Sequence, residues 1–307
     1  MSHRSLFAVP CLICAAMSTT GSAATPGSRS VVAAPYNTGG GTLYVATQYK
    51  PAIPMVRGFT MRESSIAPPS RLFGLKPSAS VQAAEHVGAG VSAPLLEALR
   101  SAQNLSSNHV PSYESSLYGV SGIVGYAKMG ARVELEVTFE EFKAKKLGQS
   151  ALKEGHEYLI MARDVGNSSP GGSYAVFRNR AISAGSAVVS VCQDFLPVGA
   201  PGSTAPYACL GGGAEFLDIL GVENTRFTYQ IKAGTTFNLH PRVGVFAAGY
   251  YRGTVERAFK PSPVVMVTNT STASSGEQRS QSLSFVQPEG SAGVRYAGVE
   301  VGVRVSL

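Results

Sequence analysis

Apolar and polar residues alternate one by one along several long segments of this chain, a period that is typical of β-strands with two different faces. The segment 226–239 is the clearest case, because Phe227, Tyr229 and Ile231 alternate with polar neighbours. Residues 292–307 repeat the pattern with a row of valines. The alternation predicts eight strands, at about 42–50, 117–128, 131–143, 182–194, 205–218, 226–239, 243–258 and 292–307.

The polar face of these strands carries charge. In 131–143, Arg132, Glu134 and Glu136 share the face opposite Val133 and Leu135. Such strands fit either a soluble sandwich with wet outer faces or a membrane barrel with an apolar lipid face and a polar lumen. Strand length favours the barrel, because most of the predicted strands exceed the five or six residues typical of sandwiches and reach the roughly nine to eleven of a tilted membrane strand.

The connections between the strands alternate in length. External loops are predicted at about 51–116, 144–181, 219–225 and 259–291, and short turns at 129–130, 195–204 and 240–242. Long external loops and short periplasmic turns are typical of outer-membrane barrels. Residues 42–307 therefore predict an all-β fold, a transmembrane antiparallel up-and-down β-barrel of about eight strands with both ends in the periplasm.

The first residues have the pattern of an export signal. His3 and Arg4 precede a short apolar run, and small residues follow up to Ala23. This predicts a signal peptide over 1–23, followed by an N-terminal periplasmic segment over 24–41.

Two cysteines remain after removal of this signal. A hairpin centred near Gly199 to Pro201 places Cys192 directly opposite Cys209, with both side chains on the inward face. Because exported proteins can keep disulfides, we predict a Cys192–Cys209 bond; two free thiols are the alternative.

Composition and charge indicate what fills the barrel and which partners are excluded. The chain has 34 Gly, 44% apolar and 15% charged residues and a net charge of +7, but its cations are scattered and it has no Trp, so nucleic acid is not a predicted partner. An eight-stranded barrel is only wide enough for side chains to fill it, which predicts an ion-pair plug; an open pore needs extra strands, for which 55–63 and 264–268 paired with 282–286 are candidates. The predicted lumen-facing charged residues are Lys50, Arg132, Glu134, Glu136, Lys232, Arg252, Glu300 and Arg304.

Enzyme chemistry has little support in the sequence. His86, His109, His156 and His240 are far apart and none has metal-ligand spacing to a Cys or another His. We predict no catalytic residues, no metal and no cofactor, although these histidines and the many serines leave the lipid-modifying hydrolases of some small barrels open as a class.

The C-terminal residues form a short assembly pattern. Gly302, Val305 and Leu307 fit the polar, Gly and apolar spacing that outer-membrane barrels present to their assembly machinery, except that Leu307 stands where an aromatic residue is usual. The expected partners are therefore outer-membrane lipid and the barrel-assembly machinery.

Several segments resemble one family of bacterial surface proteins. They are Gly125-Tyr126 with Gly130 to Phe142, Leu43-Tyr44-Val45, Tyr49-Lys50-Pro51, Phe73-Gly74-Leu75-Lys76, Cys192-Gln193-Asp194, Pro206 to Cys209 with Gly211-Gly212-Gly213, and Tyr229-Gln230 to Pro241 followed by Val245-Phe246 and Gly249. In order and spacing the chain resembles the Anaplasma and Ehrlichia major surface protein family, over about 42–307. The resemblance implies a surface-exposed outer-membrane antigen, with porin activity reported for members and adhesion to host cells proposed for some.

The sequence therefore predicts a major surface antigen of the bacterial outer membrane with passive porin activity. The alternative is a host-cell adhesin whose barrel is a closed anchor for binding loops, with host-cell surface molecules and antibodies as partners. A third class, a soluble secreted ligand-binding barrel, would have its apolar faces turned inward.

Overall fold

The computed structural model describes residues 41–63, 70–76, 79, 104–107, 109–146, 155–163, 174–195, 201–255, 258–261, 263, 265–267 and 288–307. All of them belong to one unit, 33–307. The predicted signal peptide over 1–23 and nearly all of the 24–41 segment lie outside the described residues. No helix in the described ranges is long and apolar enough to cross a membrane.

The described residues form strands almost throughout. They are β1 (Thr42–Tyr49), β2 (Ala52–Glu63), β3 (Ser70–Leu75), β4 (Leu105–Ser107), β5 (Val120–Lys128), β6 (Ala131–Lys143), β7 (Tyr158–Arg163), β8 (Tyr174–Arg178), β9 (Ala181–Asp194), β10 (Thr204–Ile219), β11 (Val222–His240), β12 (Val243–Thr254), β13 (Ala258–Phe259), β14 (Val265–Val267) and β15 (Pro288–Ser306), with one 3-10 turn at Gly155–Glu157.

Eight of these strands close into an antiparallel ring. The order is β1-β5-β6-β9-β10-β11-β12-β15, and β15 pairs back to β1 from Tyr44–Ser306 to Tyr49–Val301. The eight strands predicted from the sequence are these eight, so the predicted barrel is confirmed. Along β6 every second residue is buried and every other one is exposed, as the alternation of its sequence requires.

Turn chemistry fixes the registers of the hairpins. Met129 and Gly130 both have positive φ, 52° and 80°, which is the conformation of a tight hairpin turn whose twist matches that of the strands. Around this turn Tyr126 pairs with Val133 and Gly125 pairs with Glu134.

Two predicted connections differ from the structure. The external loop predicted over 219–225 is wrong, because β10 and β11 pair up to Ile219–Val222 around a two-residue turn at Leu220 and Gly221, both with positive φ. The turn predicted at 240–242 is one residue shorter, because His240 pairs with Val243 after a register shift between Asn238 and His240.

The segments predicted as long loops carry their own strands. Within 51–116, β2 pairs with the first half of β15 and continues the barrel wall beyond β1, in agreement with the extended character of 55–63. A second sheet, β14-β8-β7-β3-β4, combines strands from all three long loop segments. Residues 265–267 pair with β8, whereas their predicted partner 282–286 lies outside the described residues.

The barrel interior has two layers. Towards the long connections, Leu159 and Met161 of β7 and Phe177 of β8 join barrel residues in an apolar cluster, which we call the apolar layer. Towards the short turns, the interior is lined by polar and charged side chains. One face of the second sheet therefore packs against the barrel residues and closes the mouth on the side of the long connections.

Candidate functional site

Twelve charged side chains are buried in the barrel, all of them among the described residues. They are the cations Lys50, Arg132, Arg226, Lys232, Arg252 and Arg304 and the anions Glu134, Glu136, Glu140, Asp194, Glu215 and Glu300. On a barrel strand, a side chain that points outward can be covered only by lipid. A side chain that the protein itself buries therefore points into the barrel. The interior therefore contains six positive and six negative groups, and the set includes all eight lumen-facing residues predicted from the sequence.

Glu136 of β6 lies at the centre of this cluster. Its Oε1 is 2.5 Å from Lys50 Nζ and 3.2 Å from Arg252 Nη2, and its Oε2 is 2.6 Å from Lys232 Nζ. Gln230 donates to Oε2 at 2.9 Å, and Gln48 donates to Oε1 at 3.1 Å. One carboxylate thus joins groups from β1, β11 and β12 across the lumen.

Glu134 and Glu300 extend the network on either side. The Tyr44 hydroxyl donates to Glu134 Oε1 at 2.7 Å, and Arg304 Nη2 lies 3.6 Å from the same oxygen. Glu300 of β15 lies 3.2 Å from Lys50 Nζ and 3.5 Å from Lys232 Nζ. Because each ammonium contacts more than one carboxylate, the charges form a network and not separate pairs.

Arg252 of β12 connects the network to the aromatic side of the interior. Its guanidinium donates to Gln230 Oε1 and Ser186 Oγ and lies 3.3 Å from the Tyr296 hydroxyl. Planar guanidinium groups can make several such contacts at once. The side chain is fully buried, so bulk water does not reach it.

Four buried charges were not among the predicted site residues, namely Glu140, Asp194, Glu215 and Arg226. Tyr250 donates to Glu140 at 2.9 Å and Tyr296 donates to Glu215 at 3.0 Å, both next to the apolar layer. Each of the four lies an even number of residues from a predicted lumen residue or cysteine on the same strand, and therefore on the same face. The alternation of the sequence thus contains the signal that identifies them.

The apolar layer covers the charged network on the side of the long connections. Leu159, Met161 and Phe177 are fully buried, and Phe142 packs on Tyr296 with ring centroids 5.3 Å apart. An ion would have to lose its hydration to pass this layer, at a cost that nothing in an apolar environment compensates.

The predicted disulfide is confirmed. Cys192 of β9 and Cys209 of β10 are direct register partners and are bonded at 2.03 Å. Both are buried on the inward face, at the same level of the barrel as Arg132 and Lys232 on the neighbouring strands.

Few side chains in the described part of the chain are placed so that they could hold a metal ion together. Glu134, Cys192 and Cys209 place three potential ligand atoms within 4.8 Å of one another, but the two sulfurs are bonded to each other and cannot act as thiolate ligands. His109, His156 and His240 belong to separate segments, next to β3, in the 3-10 turn and at the end of β11, while His86 lies outside the described residues.

The C-terminal pattern divides between the two faces of β15. Val305 and Leu307 are exposed on the outer face, 39% and 73%, whereas Gly302 is buried beneath the Phe246 ring. A Cβ at Gly302 would overlap that ring, so this glycine has a packing role inside the barrel.

An apolar belt surrounds the barrel. Exposed Val133, Leu135, Val137 and Phe139 line β6, and equivalent residues line the other strands. On β6 the belt from Ala131 to Phe139 is about 20 Å high for a tilted strand, and longer strands raise this to about 30 Å. Aromatic residues lie towards both edges of the belt; they are Tyr126, Phe195 and Phe237 near the short turns, and Tyr49, Phe139, Phe216 and Phe227 near the long connections.

Comparisons with known proteins identify the family of this chain. A family model described as surface antigen matches residues 36–307. Major surface antigen 4 of Anaplasma marginale is 30% identical over 225 residues, which are 73% of this chain and 73% of that protein. Among solved structures, Neisserial surface protein A matches with a TM-score of 0.35 and 12% identity, over 87% of this chain and 98% of that one.

Proposed function

Since the chain belongs to the surface antigen family, we propose that it is an outer-membrane protein whose closed barrel anchors antigenic and host-binding structure at the bacterial surface. The observation that carries the proposal is a barrel with an apolar outer belt and a filled interior. Such a barrel can hold a protein in lipid without conducting solutes. The proposed role needs no catalytic group or cofactor.

The outer belt supports the location. Its height of about 20 to 30 Å agrees with the apolar band of about 25 Å in outer-membrane barrels, and aromatic residues lie towards both of its edges. A soluble barrel would instead expose Leu135, Val137 and Phe139 to water, which soluble monomers avoid over areas of this size.

The interior supports the anchor over the porin. At the level of Glu136 the side chains of Lys50, Arg252 and Glu300 are 0% exposed, so they fill the cross-section. Beyond them the apolar layer covers the mouth of the barrel. Passive porin activity would require both layers to open.

The surface role belongs to the long connections. Strands β3, β7 and β8 form a sheet at the mouth of the barrel opposite the short turns, and the connections continue from it. We propose that this structure and the loops within 51–116, 144–181 and 259–291 contact host-cell surface molecules and antibodies. The turns at 129–130, 195–204 and 240–242 then lie in the periplasm with both chain ends, after removal of the signal peptide, and the Leu220–Gly221 turn lies outside.

Assembly is the role proposed for the last residues. Val305 and Leu307 point outward at the end of β15, where a second protein can reach them before the belt enters lipid. We propose that they contact the barrel-assembly machinery, and that Gly302 contributes through packing.

The experiment is to place one peptide epitope in either of two matched turns of the full chain, expressed in a bacterial outer membrane. An insertion between Leu220 and Gly221 is expected to bind antibody on intact cells. The same insertion between Pro241 and Arg242 is the control and is expected to bind only after the outer membrane is permeabilised. The reverse pattern, or equal labelling of both turns, would rule out the proposed orientation.

Host contact is tested with the folded protein in lipid vesicles. Vesicles that carry the intact chain should bind host cells, and removal of the external segments by protease should abolish that binding while the membrane-embedded barrel is kept. Binding that survives this treatment would contradict a role for the long connections.

A further inference from the structure

The disulfide lies inside the closed ring and not on its surface. Cys192 and Cys209 are 1% and 4% exposed, and they belong to a buried cluster that includes Tyr44 and Tyr207. The Arg132 guanidinium lies over the Tyr207 ring at 4.7 Å. Once the eight strands have closed, protein therefore surrounds both sulfurs.

Thiol–disulfide exchange requires direct access to sulfur. A thiolate attacks one sulfur of a disulfide and forms a mixed disulfide, so the oxidant must touch the cysteine that it oxidises. Neither a protein oxidant nor a bulky small molecule can do so inside the filled lumen. The two cysteines are only 17 residues apart, on adjacent strands joined by a short connection, so one hairpin suffices to bring them together.

We propose that the Cys192–Cys209 bond is made on the β9–β10 hairpin by a disulfide-exchange oxidant before the barrel closes, and that closure then protects it from reductants. One cysteine thiolate attacks the disulfide of the oxidant and releases its first thiol. The second cysteine thiolate attacks the resulting mixed disulfide and releases the second thiol. The two cysteines lose two electrons and two protons, and the oxidant, a protein or small-molecule disulfide, gains them as two thiols.

This order of events explains the position of the bond in the ring. Arg132 of β6 and Lys232 of β11 are the register partners of Cys192 and Cys209, so the disulfide occupies a level that is polar and charged on both sides. A covalent hairpin fixes the register of β9 against β10 before these charges have partners. The inference does not depend on the proposed surface role, because it concerns only the closed ring.

The test measures reduction of the folded, oxidised chain without residues 1–23, so that Cys192 and Cys209 are its only cysteines, in detergent micelles. The protein is treated with a phosphine reductant, with or without denaturant; the reductant is then removed, every sample is unfolded, and free thiols are counted by the gel shift of a polyethylene-glycol maleimide. We expect two labels in denaturant and none in the folded barrel over the same time, a rate difference of about a hundredfold or more, because the sulfurs react only when the barrel opens.

A matched control shows that the reagents work on the folded protein. The triple variant Cys192→Ser, Cys209→Ser, Arg242→Cys has one thiol in an exposed turn and should be labelled fully without denaturant. Reduction of the native bond in the folded barrel at the rate seen in denaturant would overturn the proposal.

The reverse reaction gives a second, independent result. A chain folded with its cysteines reduced and then given oxidised glutathione should keep two free thiols, whereas the unfolded chain should form the bond. A reduced chain that fails to close supports the same order, because the bond is then required before closure. Rapid oxidation within a fully closed, reduced barrel would contradict it.

Discussion

Replacement of Glu136 by Gln changes one charge at the centre of the lumen while it keeps the shape of the side chain. Glu136 contacts Lys50 at 2.5 Å, Lys232 at 2.6 Å and Arg252 at 3.2 Å, and its side chain is 0% exposed. The variant leaves the two ammonium groups and the guanidinium around this position with one negative charge fewer in a buried environment. A Gln amide also presents N–H donors to ammonium and guanidinium groups that are themselves donors.

The expected loss of unfolding free energy follows from this geometry. Removal of one partner of a buried ion pair costs about 3 to 5 kcal/mol, because the remaining charge is buried without compensation. Glu136 contacts three cations, and Glu300 and Glu134 still neutralise part of their charge in the variant. We therefore expect Glu136→Gln to lose about 3 to 5 kcal/mol of unfolding free energy. Water that enters the loosened lumen should keep the loss from being larger.

The assay is urea unfolding of the barrel in lipid vesicles, followed by far-ultraviolet circular dichroism and by heat-modifiable gel mobility, because the chain has no Trp. Glu141→Gln is the matched control, because Glu141 lies on the same strand but is exposed on the outer face. Its effect should stay within about 0.5 kcal/mol. A loss below about 1 kcal/mol in Glu136→Gln would refute the idea that a dry charge network fills the lumen.

Two further predictions concern packing. Gly125→Ala should destabilise the barrel by about 1 to 3 kcal/mol, because a Cβ there overlaps the Tyr44 ring, whereas Gly122→Ala on the same strand meets nothing within 4 Å and should be nearly neutral; equal urea midpoints for the two variants would contradict this. Phe177→Ala should cost about 3 to 5 kcal/mol, because the side chain is fully buried in the apolar layer; a loss below 1 kcal/mol by the same assay would mean that the second sheet does not seal the barrel.

The barrel could be predicted from sequence because its strands are long and alternate strictly. In β6 thirteen residues follow one parity, and a shift of one residue would turn the charges of Arg132 and Glu134 towards lipid. In the β9–β10 hairpin, the same alternation and the position of the turn place Cys192 opposite Cys209. The parity of β6 also puts Glu140 on the face of Glu134 and Glu136, but the contacts that make Glu140 and Glu215 part of the buried network appear only when several strands are placed together.

The structure at the barrel mouth was not predictable in the same way. Strand β7, Tyr158–Arg163, is a short continuous apolar run whose partners β3 and β8 come from different long connections, and periodicity does not identify such pairings. The turn at Leu220 and Gly221 was missed for another reason. Positive φ at Leu is uncommon, so the dipeptide does not have the Asn-Gly or Asp-Gly signature of a tight hairpin.

The closed anchor is tested most directly by the conductance of the refolded, signal-free protein in planar bilayers, with insertion verified by protease protection. We expect the inserted barrel to show no steady channels. Neutralising substitutions at Arg132, Glu134 and Arg304 are expected to leave it silent. Steady channels whose ion selectivity shifts with these three substitutions would contradict the closed anchor and establish a porin lined by the inward face.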